Sequence, residues 1–267
     1  DNTIANPVAS PNVTTTYTVT VTHPNGCTNT DQMTVTVNPL PGIDAGVDRD
    51  ICIGSSTVLG GTPTSSTAVN YLWDNAATLD DKTIANPTAT PTVTTTYSLT
   101  VTDANGCVNT DQVVITVNPL PNADAGIDQT ICDRDTITIG STANLLYTYL
   151  WDNAATLDNN TLSDPRAFPS VTTTYTVTVT ETATSCTNTD QVIITVLPIP
   201  FADAGRDDTL CVGSSTTLGG NPTGPAGTSF AWDNAGSLSD PSVANPVAAP
   251  ITTTTYTVTV TNNTTGC

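Results

Sequence analysis

Positive charge is nearly absent from this 267-residue chain: lysine and arginine together number five, against 24 acidic residues, for a formal net charge of -19. A grip on nucleic acid needs clustered Lys and Arg, so that class of function is excluded. An anionic membrane surface is an equally poor partner, and no direct insertion into a membrane is expected. Histidine occurs once, at His23, and no Cys-x-x-Cys spacing exists, which removes the usual zinc ligand sets. Lys, Glu and Arg are scarce while Thr, Ser, Asn and Gly abound, which is poor material for helices. Aromatic residues are 5% of the chain, and those that recur stand at core-type positions, which speaks against an aromatic sugar-binding platform.

What is present is a repeat of about 80 residues. Asp-Ala-Gly begins at Asp44, Asp124 and Asp203, Trp-Asp-Asn at Trp73, Trp151 and Trp232, and Thr-Thr-Thr-Tyr ends at Tyr17, Tyr97, Tyr175 and Tyr256. A period this long denotes stacked copies of one small unit. Pro-rich joints, Asn38 to Pro41, Asn118 to Pro121 and Leu197 to Pro200, read as short semi-rigid linkers. The expected division is 1–39 (the C-terminal half of a repeat), 40–119, 120–198 and 199–267 (a repeat lacking its last strand). Both ends thus cut through a repeat, and the chain reads as a window on a longer array.

Tyr175 to Thr180 alternates apolar and polar residues with period two, the signature of a half-buried antiparallel strand. Tyr175, Val177 and Val179 are expected to face inward, as are Tyr97, Leu99 and Val101 one repeat earlier. Asn105-Gly106 supplies the positive φ angles of a tight hairpin, and Val113, Ile115 and Val117 line the return strand. Earlier strands are expected over Gln129 to Cys132, Thr136 to Ile139 and Tyr149 to Trp151. Each unit therefore reads as about seven short strands. Its tryptophan (Trp73, Trp151, Trp232) plugs the core, and its tyrosine (Tyr17, Tyr97, Tyr175, Tyr256) stands where a tyrosine corner is expected. The fold class is all-β, tandem immunoglobulin-like sandwiches in a linear array.

The frame Asp-Ala-Gly-x-Asp, Cys-x-Gly, Tyr-x-Trp, Asn-Pro, Thr-Thr-Thr-Tyr, Asn-Gly-Cys and Thr-Asp-Gln resembles PKD-type and related Ig-like repeats. Such repeats occur in giant cell-surface proteins of Bacteroidota, including gliding-motility adhesins exported by the type IX route. The resemblance implies PKD-like domains and an extracellular, adhesive or structural role. It also implies O-glycan acceptors in Asp-Thr-aliphatic triplets, which places candidates at Thr136 and Thr209.

Seven cysteines recur, one early and one late in each repeat: Cys52 and Cys107, Cys132 and Cys186, Cys211 and Cys267, with Cys27 unpaired in the window. Such spacing in small domains reads as disulfides formed in an oxidising, extracytoplasmic place. Pairing within a repeat is the expectation, closing loops of about 55 residues worth ~4 kcal/mol each in the chain-entropy account. A competing scheme joins the early cysteine of one unit to the hairpin cysteine of the next, Cys52 with Cys186 and Cys132 with Cys267. Beside the joints stand the pairs Asp44 and Asp48, Asp124 and Asp128, and Asp203 and Asp207. These either hold Ca²⁺ through carboxylate oxygens or cap turns by accepting backbone N–H groups.

No acid–base or nucleophilic constellation stands out. His23 takes the place held by Asp103 and Glu181 in other repeats, and carboxylates recur with the repeat, so the chain reads as not an enzyme. The leading reading is a structural and adhesive segment of a long extracellular stalk or filament. Its partners are neighbouring repeats, with a surface or polysaccharide ligand outside this window. The alternative is a spacer or carbohydrate-binding accessory region of a secreted hydrolase.

Overall fold

The Thr-Val alternation forms the long strands of the molecule, seen here in a computed structural model describing residues 2–267. The first run, Thr15–Thr22 (β1), returns as Thr28–Val35 (β2) in an antiparallel hairpin with Tyr17 opposite Met33. Six strands follow: Arg49–Cys52 (β3), Thr57–Val58 (β4), Ala68–Trp73 (β5), Thr88–Ala89 (β6), Thr95–Asp103 (β7) and Val108–Asn118 (β8). They make two sheets, ordered β3-β8-β7-β5 and β4-β6. β8 runs antiparallel to β7 but parallel to β3. Residues on the two sheets interlock around Leu59, Trp73, Ala89, Tyr97, Leu99, Val113 and Ile115, each at most 2% exposed.

The next repeat copies this plan with Gln129–Cys132 (β9), Ile137–Thr138 (β10), Tyr147–Trp151 (β11), Arg166–Ala167 (β12), Thr173–Glu181 (β13) and Thr187–Leu197 (β14). Its sheets are β11-β13-β14-β9 and β10-β12. The last repeat shows Thr216–Thr217 (β15), Thr228–Trp232 (β16), Val247–Ala248 (β17) and Val258–Asn262 (β18), paired as β15-β17 and β16-β18. The fold is thus all-β and built of tandem Ig-like sandwiches. Each full repeat has six strands rather than seven; the remaining contact is a single bridge, Leu79 to Ala89 or Leu157 to Ala167. Chain contacts group into two units, Asp1–Leu120 and Pro121–Cys267. No helix among the described residues is long and apolar enough to cross a membrane.

Inward positions follow the alternation where a sandwich is complete: Tyr175, Val177 and Val179 are at most 1% exposed. Trp73 and Trp151 are each 1% exposed and Trp232 5%. Two core assignments need correction. Tyr17 is 38% exposed, because the β1–β2 hairpin is a two-stranded sheet with its apolar side chains Val19, Val21 and Met33 also exposed. Tyr256 is only half-buried, and it lies outside β18, which starts at Val258 for want of a return strand beside it.

The tyrosine hydroxyl meets a side chain rather than the backbone that a tyrosine corner uses. Tyr97 Oη lies 2.6 Å from Thr78 Oγ1, Tyr175 Oη 2.7 Å from Thr156 Oγ1, and Tyr256 Oη 2.6 Å from Ser237 Oγ. Each partner closes a three-residue 3₁₀ turn, as in Ala76–Thr78. That turn begins at the asparagine of Trp-Asp-Asn, whose φ is 51°, 51° and 52° at Asn75, Asn153 and Asn234. Asparagine tolerates this left-handed conformation better than other non-glycine residues. Its side chain also donates to a neighbouring strand, Asn153 Nδ2 to the Thr174 carbonyl at 2.8 Å, while the Thr176 N–H donates to Asp152 Oδ1 at 2.8 Å. Asn153→Ala is expected to cost about 1–2 kcal/mol from the left-handed backbone, with the lost hydrogen bond added. Asn153→Gly loses only the bond, so its denaturation midpoint should fall between those of the wild type and the alanine variant.

Candidate functional site: the joint between repeats

At two of the joints a proline is fastened to the hairpin of its own repeat. Asn109 Nδ2 donates to the Pro41 carbonyl at 2.9 Å, and Asn188 Nδ2 to the Pro121 carbonyl at 3.0 Å. One step along, the N–H of Ala45 donates to Asp111 Oδ2 and that of Ala125 to Asp190 Oδ2, both at 2.8 Å. The asparagine and aspartate of the Asn-Thr-Asp-Gln run thus hold the incoming chain in place. Gly46, with φ 96°, lies against the Gly60 backbone, where an added Cβ would stand 3.2 Å from a carbonyl oxygen. This close approach explains the glycine of Asp-Ala-Gly.

Asp44, Asp48, Asp124, Asp128 and Asp203 act as backbone acceptors. Asp44 Oδ1 takes the Gly46 N–H, and Asp48 Oδ1 takes the Val114 N–H, both at 2.8 Å. Asp124 and Asp128 repeat this with Gly126 and Ile193, at 3.0 and 2.8 Å, and Asp203 takes the Gly205 N–H at 2.9 Å. Asp48 and Asp128 therefore reach a strand of the sheet, while Asp44, Asp124 and Asp203 close local turns. The geometry assigns them the capping role open to them in the sequence. Among the described residues no group of three or more His, Cys, Asp or Glu side chains is placed to hold a metal ion. Thr136 and Thr209 are both exposed; Thr136 Oγ1 accepts a 2.6 Å bond from Arg166 Nη2.

The cysteines overturn the pairing within a repeat. Cys132 is bonded to Cys267, with Cα atoms 5.6 Å apart and a sequence separation of 135. Cys52 and Cys186 are half-cystines as well, whereas Cys27, Cys107 and Cys211 carry free thiols. Sheet topology explains why Cys132 does not meet Cys186. β9 lies parallel to β14 with Cys132 beside Leu197, at the far end of that strand, and Cys186 immediately precedes its first residue, Thr187. Eleven residues of strand separate the two points by roughly 36 Å, and a disulfide requires Cα atoms within about 7 Å. The same register sets Cys52 beside Asn118 while Cys107 precedes Val108, so Cys52 and Cys107 are kept apart likewise. In Pro121–Cys267 the far end of β9 faces the hairpin that closes β18, and a shallow groove lined by Thr130, Asp135, Leu197 and Thr265 flanks the bond.

Electrostatic shifts fall on four turn carboxylates and one buried tyrosine among the described residues. The Thr88 backbone N–H holds Asp80 below the usual carboxylate value, and hydroxyls do the same first and foremost for Asp81 (Thr83), Asp208 (Thr216) and Asp240 (Ser242). Burial raises Tyr175. A carboxylate whose folded pKa is depressed adds stability above its unfolded value, and that contribution is lost as pH falls through the folded value. The melting temperature is therefore expected to be flat above about pH 4 and to fall below it. Asp81→Asn combined with Asp240→Asn should make that acid limb shallower; an unchanged limb would show that these turns contribute nothing to it.

No family model and no curated protein sequence matches this chain. Among solved structures it is similar to titin domains I67–I69, at 11% identity over 84% of this chain and 93% of that one, with a TM-score of 0.37. It is also similar to the PKD domain from KIAA 1837 protein, at 22% identity over 34% of this chain and all of that one, TM-score 0.29. A third is the N-terminal eight Ig domains of Down Syndrome Cell Adhesion Molecule, at 12% identity over 95% of this chain and 46% of that one, TM-score 0.33.

Proposed function

We propose that this chain is a structural segment of an extracellular stalk or filament, in which repeated sandwiches supply length and covalent ties between them supply stiffness. The observation that carries this reading is the Cys132–Cys267 bond. It joins strand β9 of one repeat to the hairpin at the end of the next, rather than closing either sandwich on itself. A bond of that kind adds nothing a lone domain needs, whereas it limits how far one domain can swing from another. Disulfides of this sort form and persist outside the reducing cytoplasm, which supports a location at the cell surface or beyond it. The motif frame supports a more specific placement, among the giant surface adhesins of Bacteroidota, with Thr136 and Thr209 as proposed O-glycan acceptors. The surface or polysaccharide ligand is assigned to regions outside this segment.

The bond also decides where tension travels. In Pro121–Cys267, force entering at one end and leaving at Cys267 crosses from Cys132 directly through the disulfide. The intervening chain, with the cores built on Trp151 and Trp232, is shielded from load. Single-molecule pulling of the whole chain by its ends tests this. Reduction should lengthen the fully extended chain by at least about 450 Å, since each released residue adds roughly 3.4 Å. Equal extension before and after reduction would sink the mechanical reading.

A further inference from the structure

We infer that Cys27, Cys107 and Cys211 are the open valences of a disulfide ladder, each built to bond a cysteine on an adjoining repeat of the same kind. The inference rests on the structural reading above and extends it to the ends of the segment. The one bond whose two partners are defined here runs from an early cysteine to a hairpin cysteine 135 residues later. Stepping 135 residues forward from Cys211, or back from Cys27 or Cys107, leaves the sequence in every case. The three thiols are thus the positions for which this register provides no partner within the sequence, whereas Cys132 and Cys267 are the pair it joins.

Backbone geometry shows that the free positions are formed in the same way as the bonded ones. After each early cysteine a turn closes on its carbonyl: Ser55 N–H to Cys52 at 2.9 Å, Asp135 N–H to Cys132 at 3.0 Å, and Ser214 N–H to Cys211 at 3.0 Å. Positive φ values follow at matching places, 86° at Gly54, 73° at Arg134 and 88° at Gly213. At the hairpins, the N–H groups of His23, Asp103, Glu181 and Asn262 donate to the carbonyls of Cys27, Cys107, Cys186 and Cys267 at 2.8, 3.0, 2.9 and 2.7 Å. Cys211 is thus followed by the same turn as Cys132, although Cys132 ends β9 and Cys211 lies in no strand, and Cys27 and Cys107 close the same hairpin turn as Cys267. Cys27 and Cys211 are exposed, Cys107 is half-buried like the bonded Cys52, Cys132 and Cys267, and Cys186 is buried.

Bond formation needs an oxidant, and a small-molecule disulfide such as oxidised glutathione suffices. The Cys211 thiolate attacks one of its sulfurs, breaking that S–S bond and releasing one small thiolate. A hairpin thiolate then attacks the protein sulfur of the mixed disulfide and expels the second small thiolate. Two protein thiols lose two protons and two electrons in all, and one small disulfide is reduced to two thiols.

The partner cysteine can come from a continuation of the chain or from a second copy, and two arms separate these sources. In the first, residues 108–198 are appended directly after Cys267, which continues the repeat in frame and places a copy of Cys186 135 residues beyond Cys211. Oxidation should then join Cys211 to that added cysteine, with thiol labelling at Cys211 falling about tenfold or more and the appended copy of Cys132 left free. In the second, the unmodified chain is oxidised at high concentration. Covalent oligomers in steps of 27.5 kDa should appear on non-reducing gels. Peptide mapping should find Cys211 linked to Cys27 or Cys107 of another copy, and Cys211→Ser should abolish the ladder. Bonding of the appended Cys132 and Cys186 copies to each other would overturn the inference. So would Cys211–Cys211 links, or monomers that carry only bound glutathione in both arms. The Cys132–Cys267 peptide in the same digests separates the two readings: if it is missing the structural reading fails, and if it is present alongside those outcomes only the ladder fails.

Discussion

Replacing Trp151 with alanine is expected to cost the central repeat about 3–5 kcal/mol, the range found for emptying a buried aromatic site. That is a large share of the 5–15 kcal/mol that keeps a domain folded. The side chain is 1% exposed and packs in one cluster with Ile139, Tyr175, Val177, Val192 and Ile194, so its removal leaves a cavity bounded by both sheets. Its indole N–H also donates to the Leu162 carbonyl at 2.9 Å, an acceptor in the irregular segment that the sandwich must otherwise leave unpaired. Trp151→Phe should cost less than alanine, since it keeps most of the ring volume and loses only the donor. Trp232→Ala should also cost less than Trp151→Ala. Trp232 packs in a repeat with two two-stranded sheets, where Tyr256 is only half-buried and no return strand covers β18. Denaturant titration of the three variants checks the order. Equal losses for Trp151→Ala and Trp232→Ala would mean that the return strand adds nothing to the core.

Much of that core was legible before any coordinates, because period-two alternation is a direct consequence of strand geometry. Tyr175, Val177 and Val179 had to share a face, and the Asn105-Gly106 turn had to return the chain to Val113 and Ile115. Alternation says which face is apolar but not whether a second sheet covers it. Tyr17 carries the same local signature as Tyr97 and is nonetheless exposed, because burial depends on strands far away in sequence. The short strands β4, β6, β10 and β12 have two residues each and almost no pattern to read.

The polar ties at the joint were harder to read for a different reason. Asp111 and Asn109 lie 66 and 68 residues from the backbone groups they hold, and nothing local marks a carboxylate as a long-range cap. The spacing of Asp44 and Asp48 left both a metal and a turn open; the positions of the Gly46 and Val114 N–H groups are what make the turn role visible. Trp-Asp-Asn was visible as a repeated string, yet its task required knowing that Asn75 adopts a left-handed backbone. The cysteine pairing depended on one further fact, the parallel placement of the strand ending in Cys132 beside the last strand of its own repeat. A strand pairing of that kind puts the early and late cysteines at opposite ends of one sheet, which spacing alone does not disclose.

Removing the bond itself, by Cys132→Ser with Cys267→Ser, is expected to lower stability more than any single surface change. The closed loop spans 135 residues, and the chain-entropy account assigns about 5 kcal/mol to a loop of that size. The effect acts mainly on the unfolded chain, which the bond keeps from expanding, so the folded sheets should be unaltered and the circular dichroism of the native state unchanged. A loss of this size should lower the melting temperature of Pro121–Cys267 by roughly 10–20 °C, taking about 2–4 °C per kcal/mol for a unit of its length. The denaturant dependence should steepen at the same time, because a denatured state without the crosslink exposes more surface. These two changes belong together: a destabilised variant with an unsteepened slope would place the loss in the folded joint instead. The contrast with Trp151→Ala is then diagnostic, since emptying the core destabilises the native sandwich whether or not the repeats are tied. Combining the core and disulfide changes should give nearly additive losses, as the two act on different states and different contacts. Strong coupling between them would mean that the disulfide also holds the core of the central repeat in shape.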